Sequence, residues 1–267
     1  MSGQRILVIG GVATGPKAAA RARRRDPEAQ ITIVEKGRII SYSGCGLPYY
    51  VEGLFPEVEE LWRTPAGTLR DPAYFEHVKD IQVRTETLAE AIDRDRKRVR
   101  VRHLPTGSVE ELPYDKLVLA TGGEAVCPPI EGRELEGVTT LRSPEEAVQV
   151  RSALDAGRIR QAVIVGAGPI GVEMVEAFHA RGVPVTLVEM LDQVLPTLLD
   201  FEMARLLERH LKGLGVDLRL QTKVVRILGE GESGGGRAGH RRTSPRRPGA
   251  LLGGRSAKRP TGRRSRP

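Results

Sequence analysis

Short apolar runs alternate with glycine loops and helical segments at the start of the chain. Residues 5–9 are apolar at four of five positions and end at a glycine pair, which predicts a buried strand. Residues 13–25 are rich in Ala and Arg and predict a helix, and residues 31–35 predict a second strand. Together they form a β-α-β unit of about 30 residues, the size typical of a dinucleotide-binding half-domain.

The same unit recurs in the second half, with a strand over 162–166, a helix over 169–181 and a strand over 184–189. The chain is therefore predicted to be α/β, with two Rossmann-like dinucleotide-binding domains built in three layers on parallel sheets. Five further elements are predicted: a helix over 72–79, a β-rich stretch over 81–119, an amphipathic helix over 200–214 and strands over 216–220 and 223–228. Four side chains of the amphipathic helix are expected to face the core: Phe201, Ala204, Leu207 and Leu211.

Charge and composition change at residue 229. Residues 229–267 carry 11 Lys and Arg against 2 Glu, and since the whole chain of 267 residues carries +8, the other 228 residues carry −1. This segment holds five apolar side chains and no aromatic one, too few to offset chain entropy, so it is predicted to be disordered. A basic segment can bind nucleic acid, but the lack of aromatic residues for base stacking favours a solvated chain.

Several classes of protein are excluded by the composition. No apolar run approaches the roughly 18 residues of a membrane span, and two cysteines cannot form a disulfide scaffold. The N-terminus runs directly into the first strand, which argues against a cleaved signal peptide and favours a cytoplasmic protein. The five histidines show no metal-ligand spacing, so no metal site is expected.

The first glycine loop, Gly10-Gly11-Val12-Ala13-Thr14-Gly15, lies between a predicted strand and helix. Gly10 permits a tight turn, Gly15 permits close helix–strand packing, and the helix N-terminus can face a pyrophosphate. Val12 stands where the usual fingerprint has its second glycine, so the motif is imperfect. Glu35 ends the second strand, where a carboxylate can accept hydrogen bonds from a ribose diol.

The second glycine loop, Gly166-Ala167-Gly168-Pro169-Ile170-Gly171, is a complete fingerprint in the same context. Glu189 ends the following strand, where it would bind the ribose 2′-hydroxyl and repel a 2′-phosphate, which favours NADH over NADPH. Two such loops in one chain imply two nucleotides, which suggests a flavin with a nicotinamide partner.

Cys45 lies in a short segment that follows the first unit. Pro48 suits the first turn of a short helix, and a cysteine just before a helix is favoured as a thiolate. Cys127 lies in a different segment, so a redox partner of Cys45 would be a bound thiol or a sulfenate oxygen. From spacing alone, an inert buried cysteine is as good an interpretation as a reactive one.

The run Ser41–Tyr50, together with the first loop, resembles the single-cysteine branch of the pyridine nucleotide-disulfide oxidoreductases. It is most similar to coenzyme A-disulfide reductases, NADH-dependent persulfide reductases and NADH oxidases, a branch in which Val12 is normal. The resemblance implies FAD binding by residues 1–145 and NADH binding by residues 146–228. It implies electron transfer through the flavin to Cys45, the catalytic residue, and on to a coenzyme A disulfide or persulfide.

The resemblance also implies roles for individual positions. Besides Gly10, Gly11, Val12, Ala13, Gly15, Glu35, Gly166, Gly168, Pro169, Ile170, Gly171 and Glu189, cofactor contacts are expected at Lys36, Thr121, Gly122 and Glu173. Arg21, Arg24, Ser41 and Lys79 match positions that hold coenzyme A in the family. Independently of the family, Lys17, Arg21 and Arg24 share one helix face, and such a cationic stripe suits a phosphorylated ADP group.

The family chain continues beyond the pattern found here, with a Gly-Asp flavin element and a C-terminal dimerisation domain. Both domains are therefore expected to be incomplete, and the truncated chain is expected to retain flavin weakly and to show little or no turnover. The family is homodimeric, but the pattern of its dimerisation domain is not found in this sequence. Two alternatives stay open. One is an NADH oxidase or peroxidase in which Cys45 cycles through a sulfenate, and the other is a non-enzymatic nucleotide-binding remnant.

Overall fold

The computed structural model describes residues 3–229, 249–252 and 255–256. Two compact units divide the chain: the first comprises residues 1–44 and 59–122, and the second comprises residues 45–58 and 123–267. Within the described ranges, no helix is long and apolar enough to cross a membrane.

The described part of the first unit holds two α-helices and seven strands. They are α1 (Thr14–Arg25), α3 (Pro72–Lys79), β1 (Arg5–Ile9), β2 (Gln30–Val34), β3 (Gln82–Arg84), β4 (Thr87–Asp93), β5 (Arg98–His103), β6 (Val109–Pro113) and β7 (Lys116–Leu119). The central sheet has the order β3-β2-β1-β7 with parallel pairing throughout, and β4, β5 and β6 form a separate antiparallel sheet.

The central sheet of the first unit is covered on both faces, as a parallel sheet requires. On one face, Val8 and Ile33 pack with Ala19 of α1 and Phe75 of α3. On the other face, alternate residues of the same strands pack against β5 and β6, with Leu7, Val34, Val99 and Val101 buried together. The apolar run of β1 is continuous because both of its faces are buried. These layers confirm the predicted three-layer α/β architecture.

The second unit repeats this plan with four helices and seven strands in its described part. They are α2 (Leu47–Glu52), α4 (Pro144–Asp155), α5 (Pro169–Ala180), α6 (Phe201–Gly213), β8 (Glu124–Ala125), β9 (Val138–Thr139), β10 (Ala162–Val165), β11 (Val185–Val188), β12 (Asp217–Arg219), β13 (Gly249–Leu252) and β14 (Arg255–Ser256). The parallel sheet has the order β12-β11-β10-β13-β9, and α2 packs against α4 and α5.

Strand β13 departs from the expectation for the basic C-terminal segment. Composition predicted disorder there, and the loss of folding signals predicted that the second domain lacks its last strand. In the structure, β13 lies between β10 and β9, and β14 pairs with β8. The sequence Gly-Ala-Leu-Leu is apolar enough for a central parallel strand, a feature hidden when composition is averaged over 39 residues. The prediction of disorder for residues 230–248, 253–254 and 257–267 lies outside the described residues.

Two other sequence expectations are wrong. Residues 223–228 do not form a strand; they contribute one isolated bridge, between Arg226 and Glu131. Phe201 does not face the core, because it occupies the first turn of α6, is 51% exposed and lies with its ring under the Arg205 guanidinium. The buried face of α6 instead includes Glu208, which is 2% exposed and accepts a hydrogen bond from Arg205.

An ion pair fixes the ends of two neighbouring strands in the first unit. The Arg5 guanidinium donates to both carboxylate oxygens of Asp115, at 3.1 and 2.8 Å, and the backbone N–H of Arg5 donates to Oδ2. In return, the backbone N–H of Asp115 donates to the Arg5 carbonyl oxygen. The hydrogen bonds from the Arg5 side chain and backbone hold the pKa of Asp115 well below its ordinary value of 3.8.

We expect Asp115→Asn to lower the melting temperature of the chain at pH 7, because the amide cannot replace the charged acceptor. A carboxyl group with a lowered pKa in the folded state stabilises above its unfolded pKa and loses that effect as the pH falls toward the folded value. The difference between variant and wild type should therefore stay constant from pH 7 to pH 5 and shrink below about pH 4. Thermal melts monitored by circular dichroism test this, and a difference that grows on acidification would contradict it.

Candidate functional site

The first glycine loop connects β1 to α1 with the backbone geometry expected of a nucleotide cradle. Gly10 has a φ of +110°, and a Cβ atom placed on it would lie 2.1 Å from the carbonyl oxygen of Ala120. Only glycine permits that approach. Val12 and Ala13 lead into the helix at Thr14, and Gly15 is buried in its first turn.

The chain after β7, which includes Thr121 and Gly122, runs beside this loop. Because β7 pairs with β1, its end meets the loop: a Cβ atom on Gly10 would also lie 3.2 Å from the backbone nitrogen of Thr121. Gly122 follows with a φ of +66°. The structure thus brings together two segments that are more than 100 residues apart in sequence.

Each loop is fastened to an acidic residue at the end of the neighbouring strand. Glu35 Oε2 accepts the Gly11 N–H at 2.6 Å, and its Oε1 accepts the Gly37 N–H at 2.9 Å. Glu189 Oε2 accepts the Ala167 N–H at 2.8 Å, and its Oε1 accepts the Leu191 N–H at 2.9 Å. Each carboxylate oxygen has two acceptor sites, so both side chains can still bind the hydroxyls of a ribose.

The two loops share a second hydrogen bond, which the glycine motifs do not indicate. The carbonyl oxygen of Gly11 accepts the Ser41 N–H at 2.8 Å, and that of Ala167 accepts the Leu195 N–H at 2.9 Å. Ser41 and Leu195 both have a positive φ, 54° and 46°. The sequence analysis missed Leu195, because a leucine in a left-handed conformation has no recognisable sequence signal.

The second loop leaves open space where a pyrophosphate is expected. Gly168 is the N-cap of α5 and lies directly before Pro169, and a Cβ atom on it would meet no atom within 4 Å. The first backbone N–H groups of a helix lack partners within that helix and attract anions. Ile170 and Gly171 lie in the first turn, and Glu173 follows in the same helix. The residues present therefore fit a dinucleotide at both loops.

Cys45 is exposed, so it is not a buried cysteine. It lies in a single turn of 3₁₀-helix, Gly44–Gly46, that leads into α2. Pro48 lies in the first turn of α2, as the sequence predicted. The chain passes from the first unit to the second between Gly44 and Cys45.

The expected coenzyme A-binding residues within the first unit lie on α1, on α3 and before Cys45. Lys17, Arg21 and Arg24 are exposed on α1. Lys79 ends α3, with its Nζ atom 5.6 Å from the centroid of the Tyr74 ring, and the Ser41 backbone is bonded to the first loop. Lys36 is exposed directly after Glu35.

Within the described ranges, no group of three or more His, Cys, Asp or Glu side chains could hold a metal ion.

Comparison with known proteins gives consistent matches. Residues 4–242 match the family of pyridine nucleotide-disulphide oxidoreductases. The NAD(P)H sulfur oxidoreductase (CoA-dependent) of Pyrococcus abyssi is 37% identical over 84% of this chain and 48% of its own. The NADH oxidase of Methanocaldococcus jannaschii is 33% identical over 85% of this chain and 49% of its own. The chain thus spans about half the length of the curated relatives it matches.

A solved structure matches at higher identity. The NAD-dependent persulfide reductase from A. fulgidus is 49% identical, with a TM-score of 0.82, over 85% of this chain and 41% of its own.

Two glycine-to-alanine variants distinguish an effect on stability from an effect on nucleotide binding. Gly10→Ala should destabilise the first unit by about 1–3 kcal/mol from backbone strain alone, because its φ is positive and Ala120 leaves no room. Gly168→Ala should leave stability unchanged, because φ at Gly168 is −76° and the added methyl group meets open space. It should nevertheless weaken nucleotide binding, since that space is where the pyrophosphate approaches. Thermal melts and NADH titration calorimetry measure both; unchanged NADH affinity in a folded Gly168→Ala chain would contradict the assignment.

Proposed function

Because this chain belongs to the family of pyridine nucleotide-disulphide oxidoreductases, we propose that it is an FAD-dependent NADH oxidoreductase acting on the sulfur of a coenzyme A disulfide or persulfide. The observation that carries the proposal is the duplicated cradle, in which each glycine loop is closed by a strand-end carboxylate, Glu35 or Glu189. The exposed thiol of Cys45 supplies the sulfur nucleophile that this activity needs. The relative from Pyrococcus abyssi, described as CoA-dependent, supports the substrate class.

FAD is assigned to the first cradle. The α1 N-terminus and Gly10 would face its pyrophosphate, Glu35 would bind its ribose, and the segment at Thr121 would lie along the same loop. Bound there, FAD supplies a two-electron relay between the nicotinamide and the sulfur.

NADH is assigned to the second cradle. The open space at Gly168 admits the pyrophosphate, and Glu189 accepts hydrogen bonds from the ribose diol. Glu189 is buried and negatively charged, so it would repel the 2′-phosphate of NADPH, which gives the preference for NADH.

Cys45 is assigned as the redox thiol. Its thiolate sulfur attacks one sulfur of coenzyme A disulfide, a new S–S bond forms to Cys45, the original S–S bond breaks, and one coenzyme A leaves as a thiolate. The exposed cations Lys17, Arg21 and Arg24 on α1 suit the phosphates of that substrate, with Ser41 and Lys79 as further contacts. Two free, exposed cysteines fit a reducing compartment, so a cytoplasmic location is part of the proposal.

A second candidate function is an NADH oxidase in which Cys45 cycles through a sulfenate, favoured by the similarity to the NADH oxidase of Methanocaldococcus jannaschii. The reactions differ in their second substrate. Consumption of coenzyme A disulfide with NADH would identify the first, and consumption of O₂ without added disulfide would identify the second.

The role of Cys45 is tested with coenzyme A disulfide and intact-mass spectrometry. We expect the wild type and the Cys127→Ser control to gain one coenzyme A on Cys45, because a thiolate attacks an accessible disulfide. Cys45→Ser should gain none on the corresponding peptide. Coenzyme A attached to Cys127 instead, or to neither cysteine, would refute the assignment.

The assignment of the two nucleotides is tested with the matched variants Glu189→Gln and Glu35→Gln. Loss of the charged acceptor for the ribose diol should weaken NADH binding to Glu189→Gln about 10-fold and narrow the preference for NADH over NADPH. Glu35→Gln should bind NADH like the wild type and lose FAD affinity instead. Titration calorimetry with each nucleotide distinguishes these results, and equal loss of NADH affinity in both variants would contradict the assignment.

A further inference from the structure

A cluster of two arginines and one aspartate surrounds the C-terminal end of α2 within the second unit. The Arg151 guanidinium donates through one terminal nitrogen to the carbonyl oxygen of Tyr50 at 2.7 Å, and it lies 5.5 Å from the centroid of the Tyr50 ring. Its Nε donates to both oxygens of Asp155, at 3.1 and 3.0 Å. Arg181 donates to the same carboxylate through a terminal nitrogen. We call these three side chains, Arg151, Asp155 and Arg181, the arginine clamp.

The clamp is closely fitted to the turn that ends α2. Gly53 closes that helix with a φ of +102°, and a Cβ atom on it would lie 3.0 Å from Arg181 and 3.3 Å from Arg151. Partial desolvation opposes ionisation of Asp155, but the hydrogen bonds from Arg181 and Arg151 outweigh it and hold the pKa of Asp155 below its ordinary value. The side chain of Arg151 is 17% exposed and that of Asp155 is 49% exposed, so the ion pair is open to solvent on the aspartate side. The hydrogen bond from Arg151 to the Tyr50 carbonyl oxygen is partly buried, and it is the contact that reaches α2 directly.

Helix α2 depends on such anchoring because it has only six residues and is flanked by Gly46 and Gly53. Helices this short are unstable in water on their own, and they persist through tertiary contacts. The contacts come from α4, which carries Arg151 and Asp155, and from α5, which begins at the second glycine loop and ends before Arg181. Tyr50 and Val51 of α2 are buried.

We propose that Arg151, fixed by Asp155 and Arg181, is a positioning residue for Cys45: it holds α2, and with it the turn Gly44–Gly46, in place on the helices of the second unit. This inference rests on the proposed function, because it takes Cys45 as the reacting thiol. Arg151 does not contact the sulfur; it acts from the far end of α2, where its positive charge also faces the negative end of the helix dipole. Helix α5 begins at the second glycine loop and ends directly before Arg181 of the clamp.

The test uses three variants of the full chain in a Cys127→Ser background: Arg151→Met, Arg151→Lys and, as a matched control, Arg158→Met. Arg158 is an exposed arginine in the same unit, so its loss makes the same change in charge. Amide hydrogen exchange of residues 47–52 reports the anchoring of α2. The rate at which Cys45 forms a mixed disulfide, measured over a range of coenzyme A disulfide concentrations, reports the placement of the thiol.

We expect about 10-fold faster exchange across residues 47–52 in Arg151→Met, because a charged hydrogen bond to the helix end is lost. The maximal rate of mixed-disulfide formation should fall about 10-fold, with the half-saturating concentration unchanged, because the thiol is less often in the attacking geometry. Arg151→Lys should recover part of both effects, and Arg158→Met should match the parent chain.

Three outcomes would overturn the inference. Unchanged exchange in Arg151→Met would show that the clamp does not hold α2, and faster exchange with an unchanged maximal rate would show that holding α2 does not position the thiol. A parent chain that forms no mixed disulfide at Cys45 would refute the proposed function and the positioning role together. The first two outcomes leave the proposed function standing, so the two failures are distinguishable.

Discussion

The contact between a strand-end carboxylate and a glycine-loop N–H is the constraint on which both units depend. It fixes the loop beside the strand, so the unpaired N–H groups of the helix that follows and the strand-end carboxylate lie at the same edge of the sheet. Ser41 and Leu195 fasten the loops from the other side. The same hydrogen bonds occur in both units, so both glycine loops have a geometry that fits a dinucleotide.

Much of this arrangement could be predicted from the sequence, because its signals are local. The glycine spacing of 10–15 and 166–171, the apolar strands before them and the acids after them each lie within about 30 residues, and the structure has α1, α3, α5 and α6 within two residues of their predicted bounds. The family inferred from the run Ser41–Tyr50 is confirmed by the match over residues 4–242. Helix α4 was missed although Ser143 and Glu146 form a capping box, a signal legible in the sequence.

Features set by distant contacts could not be predicted. Nothing local shows that the short run at 249–252 completes a sheet whose other strands lie far earlier in the chain. Helical spacing places Phe201 and Glu208 on the same face of α6, but Phe201 is exposed in the first turn and Glu208 is buried. The clamp on α2 joins residues about 100 apart and has no sequence signature.

The central claim is that one chain offers two separate dinucleotide sites, one for FAD and one for NADH. Titration calorimetry of the purified chain with FAD, and with NAD⁺ before and after saturation with FAD, tests it most directly; NAD⁺ replaces NADH because NADH would reduce the bound flavin. We expect one equivalent of each nucleotide to bind, with the NAD⁺ affinity the same whether or not FAD is present at saturation. Displacement of one nucleotide by the other would contradict it, because competition means a single shared site.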